Sequence, residues 1–153
     1  TIENEAGAFK LLKRNSDVEP ITTGPFTITI PQVNAVSGTV KEQYAESFGG
    51  ENVEYIQIDM DITHNNEENN SLYANLAQIT TSTGEQLDPD MLFSENIDGD
   101  FVGKVSKQGA NYYILKNSKA EDVEWVRLLI EAPTSTEGFE PIGDKVDVQI
   151  PLN

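Results

Sequence analysis

The chain has 153 residues, enough for one domain with a single hydrophobic core. It has no cysteine and one histidine, which excludes thiol nucleophiles, thiolate zinc sites, disulfides and any site needing two imidazoles from one copy. Ten Lys and Arg against 26 Asp and Glu give a formal charge of −16, a field that repels nucleic-acid phosphates and anionic lipid headgroups.

In chain order, residues 1–7 read as a flexible tail or linker, followed by a strand from Ala8 to Arg14. Pro25 precedes Phe26-Thr27-Ile28-Thr29-Ile30, strict alternation with Phe26, Ile28 and Ile30 on one face. Pro31 then lacks the amide donor that a central strand needs. Val40, Tyr44 and Phe48 fall at helical spacing ahead of Gly49-Gly50, which predicts a short helix over Lys41–Phe48. Ile56 to Thr63 is the longest alternating run, with Ile56, Ile58, Met60 and Ile62 facing a core. Asn65 to Asn75 reads as a loop, with one helical turn at Leu72 to Asn75.

Further strands are expected over Ala77 to Thr81, Phe101 to Val105, Tyr112 to Lys116 and Trp125 to Ala132. The Trp125–Ile130 run is apolar on both faces and reads as a central strand. Turn chemistry marks Ser82-Thr83-Gly84, Asp98-Gly99, Lys107-Gln108-Gly109 and Glu137-Gly138. The last strand buries Val146, Val148, Ile150 and Leu152. One-sided burial of this kind belongs to antiparallel sheets. The expected fold is an all-β, immunoglobulin-like antiparallel sandwich of about seven to nine strands in one domain, with the one helix. No apolar run approaches the roughly 20 residues that span a bilayer.

No catalytic constellation stands out, and the chain reads as not an enzyme. His64 has acids nearby but no serine in a strained turn to activate, so a structural strand-end histidine is the plainer reading. Asp59 and Asp61 project from one strand face; they do not oppose each other across a substrate as glycosidase carboxylates do. A cross-strand Lys or Arg is expected beside them. From Glu51 to Asp100 there are twelve acids and no Lys or Arg, which reads as solubility or as a surface for cations or basic partners. Within that stretch Asp88, Asp90, Asp98 and Asp100 are the candidate calcium ligands, because closely spaced Asp in loops can supply several oxygens. Asp and Gly are also ordinary turn residues, and no EF-hand spacing is completed. Asn69-Asn70-Ser71 matches a glycosylation acceptor. Tyr44, Tyr55, Tyr73, Tyr112 and Tyr113 form the pool from which a sugar-stacking platform could be drawn, with Tyr112 or Tyr113 facing out.

Gly7-Ala8-Phe9-Lys10-Leu11-Leu12-Lys13 and Thr23-Gly24-Pro25-Phe26-Thr27-Ile28-Thr29-Ile30 resemble the opening of an Ig-like domain of unknown function found in lipoproteins of Gram-positive bacteria. Its fold is like that of the mycobacterial secreted immunoprotective antigen. The resemblance continues through Tyr55 to Asn65 and through Lys107-Gln108-Gly109. It ends in Val126-Arg127-Leu128-Leu129-Ile130-Glu131-Ala132-Pro133 and Gly143-Asp144-Lys145-Val146. It implies a secreted or lipid-anchored module on the outer face of the membrane, with the anchor upstream of Thr1. It assigns no catalytic or ligand residue and no cofactor. The expected role is binding or spacing, with an envelope protein or a glycan as partner; a calcium-binding domain is the alternative.

Overall fold

The computed structural model describes residues 2–3 and 7–153. In chain order its strands are β1 (Ile2–Glu3), β2 (Gly7–Asn15), β3 (Ile21–Thr23), β4 (Phe26–Thr29), β5 (Val33–Val40), β6 (Asn52–His64) and β7 (Asn69–Ser71). There follow β8 (Gln78–Thr81), β9 (Gln86–Leu87), β10 (Asp100–Val102), β11 (Ser106–Ile114), β12 (Trp125–Ile130), β13 (Thr134–Ser135) and β14 (Val146–Pro151). One α-helix, α1 (Glu42–Phe48), and two 3-10 turns, Ala74–Leu76 and Ala120–Asp122, complete the described residues. All ladders are antiparallel. Of the expected tail over 1–7, Ile2–Glu3 pair with Phe9 and Ala8, Gly7 opens β2, and residues 1 and 4–6 lie outside the described residues.

Strand β6 organises the largest sheet, which curls into a half-barrel. One edge of β6 carries β11 along nearly its full length; the other carries β5 and then β4. β4 and β5 are therefore one long strand with an interruption. Thr29 stands opposite Asp61 and Val33 opposite Ile58, so three residues face two. That one-residue bulge switches the buried set from even positions (Phe26, Ile28, Ile30) to odd ones (Val33, Ala35), while β6 keeps Ile56, Ile58, Met60 and Ile62 inward. Pro31 sits at the point where no amide donor is required, and Asp59 N–H bonds the Gln32 carbonyl instead.

A second sheet, in the order β14-β12-β8-β9, supplies Ile79, Val126, Leu128, Ile130, Val146 and Ile150 to the same core. β12 lies between β8 and β14, as its two apolar faces predict. Leu152 N–H bonds the Glu124 carbonyl, so the even residues of β14 point at β12, and Asp147, Gln149 and Pro151 face the free edge. Pro151 has no donor there, and its carbonyl is taken by the Asn15 amide at 2.8 Å. A third sheet, β10-β7-β13, is built from strands of two or three residues.

Four expectations change. The predicted helix begins at Glu42, with Lys41 as its cap, and buries no side chain; Gly49 (φ 80°) ends it as expected. Lys107-Gln108-Gly109 is not a turn but strand, opposite Ile62, Asp61 and Met60. Gly109 is there for close approach, since a Cβ would lie 2.5 Å from Ile97 and 2.8 Å from the Glu95 carbonyl. The strand from Phe101 stops at Val102 because Gly103 (φ 72°) turns the chain. The loop after His64 contains β7, and its helical turn is displaced to Ala74–Leu76. Of the fourteen strands among the described residues, eight have four residues or more; of the six short ones only β10 falls in an expected strand, and the eight-residue β5 falls in none.

Candidate functional site

The four candidate cation ligands are each engaged within the chain. Asp88 accepts from the Gln78 amide (2.8 Å), and one oxygen of Asp90 accepts from the N–H groups of Leu92 and Phe93 (2.9 and 3.0 Å). Asp98 accepts from the Asp100 N–H (3.1 Å), and Asp100 accepts from the Ser71 hydroxyl (2.8 Å). The Lys107 ammonium donates to the Asp100 and Asp98 carbonyls (2.6 and 3.2 Å) and lies 4.4 Å from the centre of the Phe101 ring. A cation thus already sits at the Asp98-Gly99-Asp100 turn, and it belongs to the protein. Among the described residues, no group of three or more Asp, Glu or His is placed to hold a metal ion.

Asp59 and Asp61 lie on the outward face of β6. The expected cross-strand cation is replaced at Asp59 by the amides of Gln32 and Gln57, at 2.6 and 2.9 Å. Neutral amides satisfy both carboxylate oxygens without a charge partner. The tyrosines divide as the strand period requires. Tyr113 is buried, its hydroxyl donating to the Ala77 carbonyl (2.8 Å), and burial raises its pKa. Tyr112 faces out beside Tyr55, ring centres 5.7 Å apart, and Phe9 adds a third ring 6.3 Å from Tyr55. Both contacts are edge-to-face, so the rings pack on one another and do not form a flat platform. Partial burial pushes the Tyr55 hydroxyl up to about 12, with Tyr112 adding to the shift.

His64 ends β6 in the interior, 1% exposed, with Phe26 and Phe101 against its ring (centres 4.8 and 5.8 Å). Its Nδ1 meets the Gly103 carbonyl and its Nε2 meets Asn70 Oδ1 at 2.8 Å. Neither nitrogen faces a hydroxyl that it could activate.

The Asn70 contact leads to the surface. Asn66 Oδ1 accepts the Glu68 N–H (3.2 Å), which turns its Nδ2 toward Asn70 Oδ1 (3.0 Å). Asn70 Oδ1 thereby accepts from the Asn66 amide and lies against His64 Nε2, and its Nδ2 is left without a partner among the described residues. Among the described residues, the polar side-chain atoms that are both buried and unpartnered are Asn75 Oδ1 and Thr134 Oγ1. Asn70 Nδ2 is not one of them, so it touches solvent although the residue is only 2% exposed. Asn70 also lines a cavity of about 410 Å³, together with Glu68, Asn69, Ser135 and Glu137.

Strand pairing assembles these residues. Asn70 stands opposite Phe101 on one side and Ser135 on the other. The following turn is closed by Phe139 N–H to the Ser135 carbonyl and Ser135 N–H to the Glu140 carbonyl, both 2.9 Å. Phe139 is 70% exposed and adopts φ 55°, the one non-glycine residue with positive φ among those described. Sequence reasoning marked Glu137-Gly138 as a turn and Asn69-Asn70-Ser71 as a motif. It could not join them, because Asn70 and Ser135 are brought together only by the ladder.

A larger cavity of about 490 Å³ lies beside β2, with Lys10, Glu54 and Lys119 in its lining. The Glu54 carboxylate there is spent on the Ala120 N–H (3.0 Å) and the Ser37 hydroxyl, which makes it a structural tie.

No family model matches the chain. Over 152 residues it is 29% identical to "SPbeta prophage-derived uncharacterized lipoprotein YonS" of Bacillus subtilis (strain 168), spanning 98% of this chain and 69% of that protein. The fold is similar to that of a functionally unknown protein from Listeria monocytogenes EGD-e, with a TM-score of 0.68, 14% identity and coverage of 96% and 89% of the two chains. A conserved hypothetical protein from Bacillus anthracis is a second neighbour, at TM-score 0.51, 14% identity and coverage of 88% and 96%. The chain is thus a predominantly β, antiparallel domain with a lipoprotein as sequence relative. Among the described residues, no helix is long and apolar enough to cross a membrane.

Proposed function

We propose that the chain is the folded part of a lipid-anchored envelope protein, an immunoglobulin-like sandwich that acts by binding and not by catalysis. The near full-length similarity to a lipoprotein supports the compartment, and the shared core of two antiparallel sheets supports the sandwich. The observation that carries the binding role is the loop-end cavity, where a buried amide keeps one free donor between two turns. Loops positioned by a rigid scaffold are where recognition is usually placed. A non-catalytic role is supported by the sole histidine, whose two nitrogens are committed to Gly103 and Asn70.

Incubating the purified chain with isolated Bacillus cell envelopes and counting the retained fraction tests the reading. Retention is expected, with a marked loss in the Glu68→Gln/Glu137→Gln double variant and no turnover in a broad hydrolase panel. Retention indifferent to the double substitution removes the loop end from the reading. Turnover abolished by mutating a defined pocket removes the non-catalytic role.

A further inference from the structure

We infer that the loop-end cavity is a saccharide subsite. The inference rests on the proposed binding role of this end of the fold and names the chemistry of its occupant.

The lining contains no apolar side chain and no Lys or Arg. An apolar ligand would strand the amides and carboxylates without partners. An anion would meet Glu68 and Glu137. A bare cation would satisfy the carboxylates but has no use for the Asn70 Nδ2 donor, which the Asn66 bond on its own Oδ1 orients. The Ser135 hydroxyl accepts from the Glu140 N–H at 3.3 Å, so its hydrogen is free to donate. The wall therefore mixes fixed donors (Asn70, Ser135) with strong acceptors (Glu68, Glu137). Hydroxyl groups, which donate and accept from one atom, fit such a wall at every position. A volume of about 410 Å³ lies in the ordinary range for small-ligand sites and accommodates a sugar ring with its first hydration shell.

Phe139 lies on the neighbouring turn, outside the cavity lining. It sits two residues from Glu137 on the turn that carries Ser135, with its ring exposed. The C–H face of a pyranose is weakly apolar and positively polarised, which suits the negative face of an aromatic ring. The donors and acceptors of the wall carry the saccharide assignment, and the Phe139→Gly variant tests whether the exposed ring adds to it.

The test is a titration of the isotope-labelled chain with chitotriose, cellotriose and maltotriose at millimolar concentration, following the Asn70 side-chain amide by NMR. At least one trisaccharide is expected to shift that resonance saturably. Glu137→Gln and Phe139→Gly should each weaken the binding about tenfold, the equivalent of 1.4 kcal/mol. Phe139→Gly keeps the backbone conformation available, so its loss of binding is not a folding defect. If no trisaccharide moves the Asn70 amide, or if both variants bind as tightly as the parent, the inference is wrong. Envelope retention measured in parallel separates the two readings. Retention that depends on Glu137 while no saccharide moves Asn70 overturns the saccharide and leaves the binding role standing. Absence of retention by the parent chain overturns the binding role itself.

Discussion

Replacing Phe139 by glycine should make the protein more stable, an unusual outcome for deleting an aromatic ring. At φ 55° a side chain's Cβ crowds the following carbonyl, which costs about 1–2 kcal/mol, and glycine escapes this. Glycine also frees the unfolded chain, an offset of about 0.4–1 kcal/mol. The ring is 70% exposed, so its removal forfeits little burial. A net gain of about 0.5–1 kcal/mol follows, which for a domain of this length raises Tm by about 1–4 °C. Phe139→Ala is the necessary companion, because it removes the same ring and keeps the Cβ. Scanning calorimetry on the three proteins should rank the glycine variant first and leave alanine near the parent. An alanine variant that melts as high as the glycine variant would mean that residue 139 carries no backbone strain, and the reasoning fails.

Gly109→Ala should cost about 1–3 kcal/mol, since the new Cβ meets the Glu95 carbonyl, a backbone atom that cannot step aside. Urea melts measure the loss, and faster hydrogen exchange at the Glu95 amide, bonded to the Ala110 carbonyl, localises it. Millimolar calcium should leave the melting curve where matched ionic strength puts it, because Lys107 already occupies the Asp98-Gly99-Asp100 turn. A chelator-reversible rise in Tm contradicts that assignment. Alkaline titration followed by tyrosinate absorbance should show Tyr55 ionising near pH 12 in the folded protein, against about 10 when unfolded. Because the folded value is the higher one, this contribution to stability is complete below about pH 10 and disappears as the pH rises through 12. Midpoints of urea melts taken across that range should fall accordingly, and a flat profile removes the burial assigned to Tyr55.

The strands that could be read from sequence are those whose two faces meet different environments. β4, β6 and β14 alternate because one side meets the core and the other meets water. β5 was invisible for the opposite reason. Val33 and Ala35 face the core while Val36 and Val40 are buried on the reverse face, so both parities carry apolar residues and the period cancels. Lys107-Gln108-Gly109 looked like a turn because Gly usually marks one. Here the missing side chain admits a neighbouring segment, which no local pattern announces. The candidate site was legible only in pieces. Asp98 and Asp100 were recognised as oxygen-rich, but the ammonium that answers them comes from β11. His64 was correctly placed at a strand end, yet its partner Asn70 acquires meaning only when β13 arrives beside β7.

The free edge of β14 bears on how densely such domains can be crowded. Each open strand is an invitation to share a ladder with another copy. On this edge Asp147 brings charge, which Arg127 answers from within the same sheet, and Pro151 offers an incoming strand no donor while its carbonyl is held by Asn15. A visiting strand would find open backbone groups only at Asp147 and Gln149. This edge is therefore a poor template for a second copy's strand.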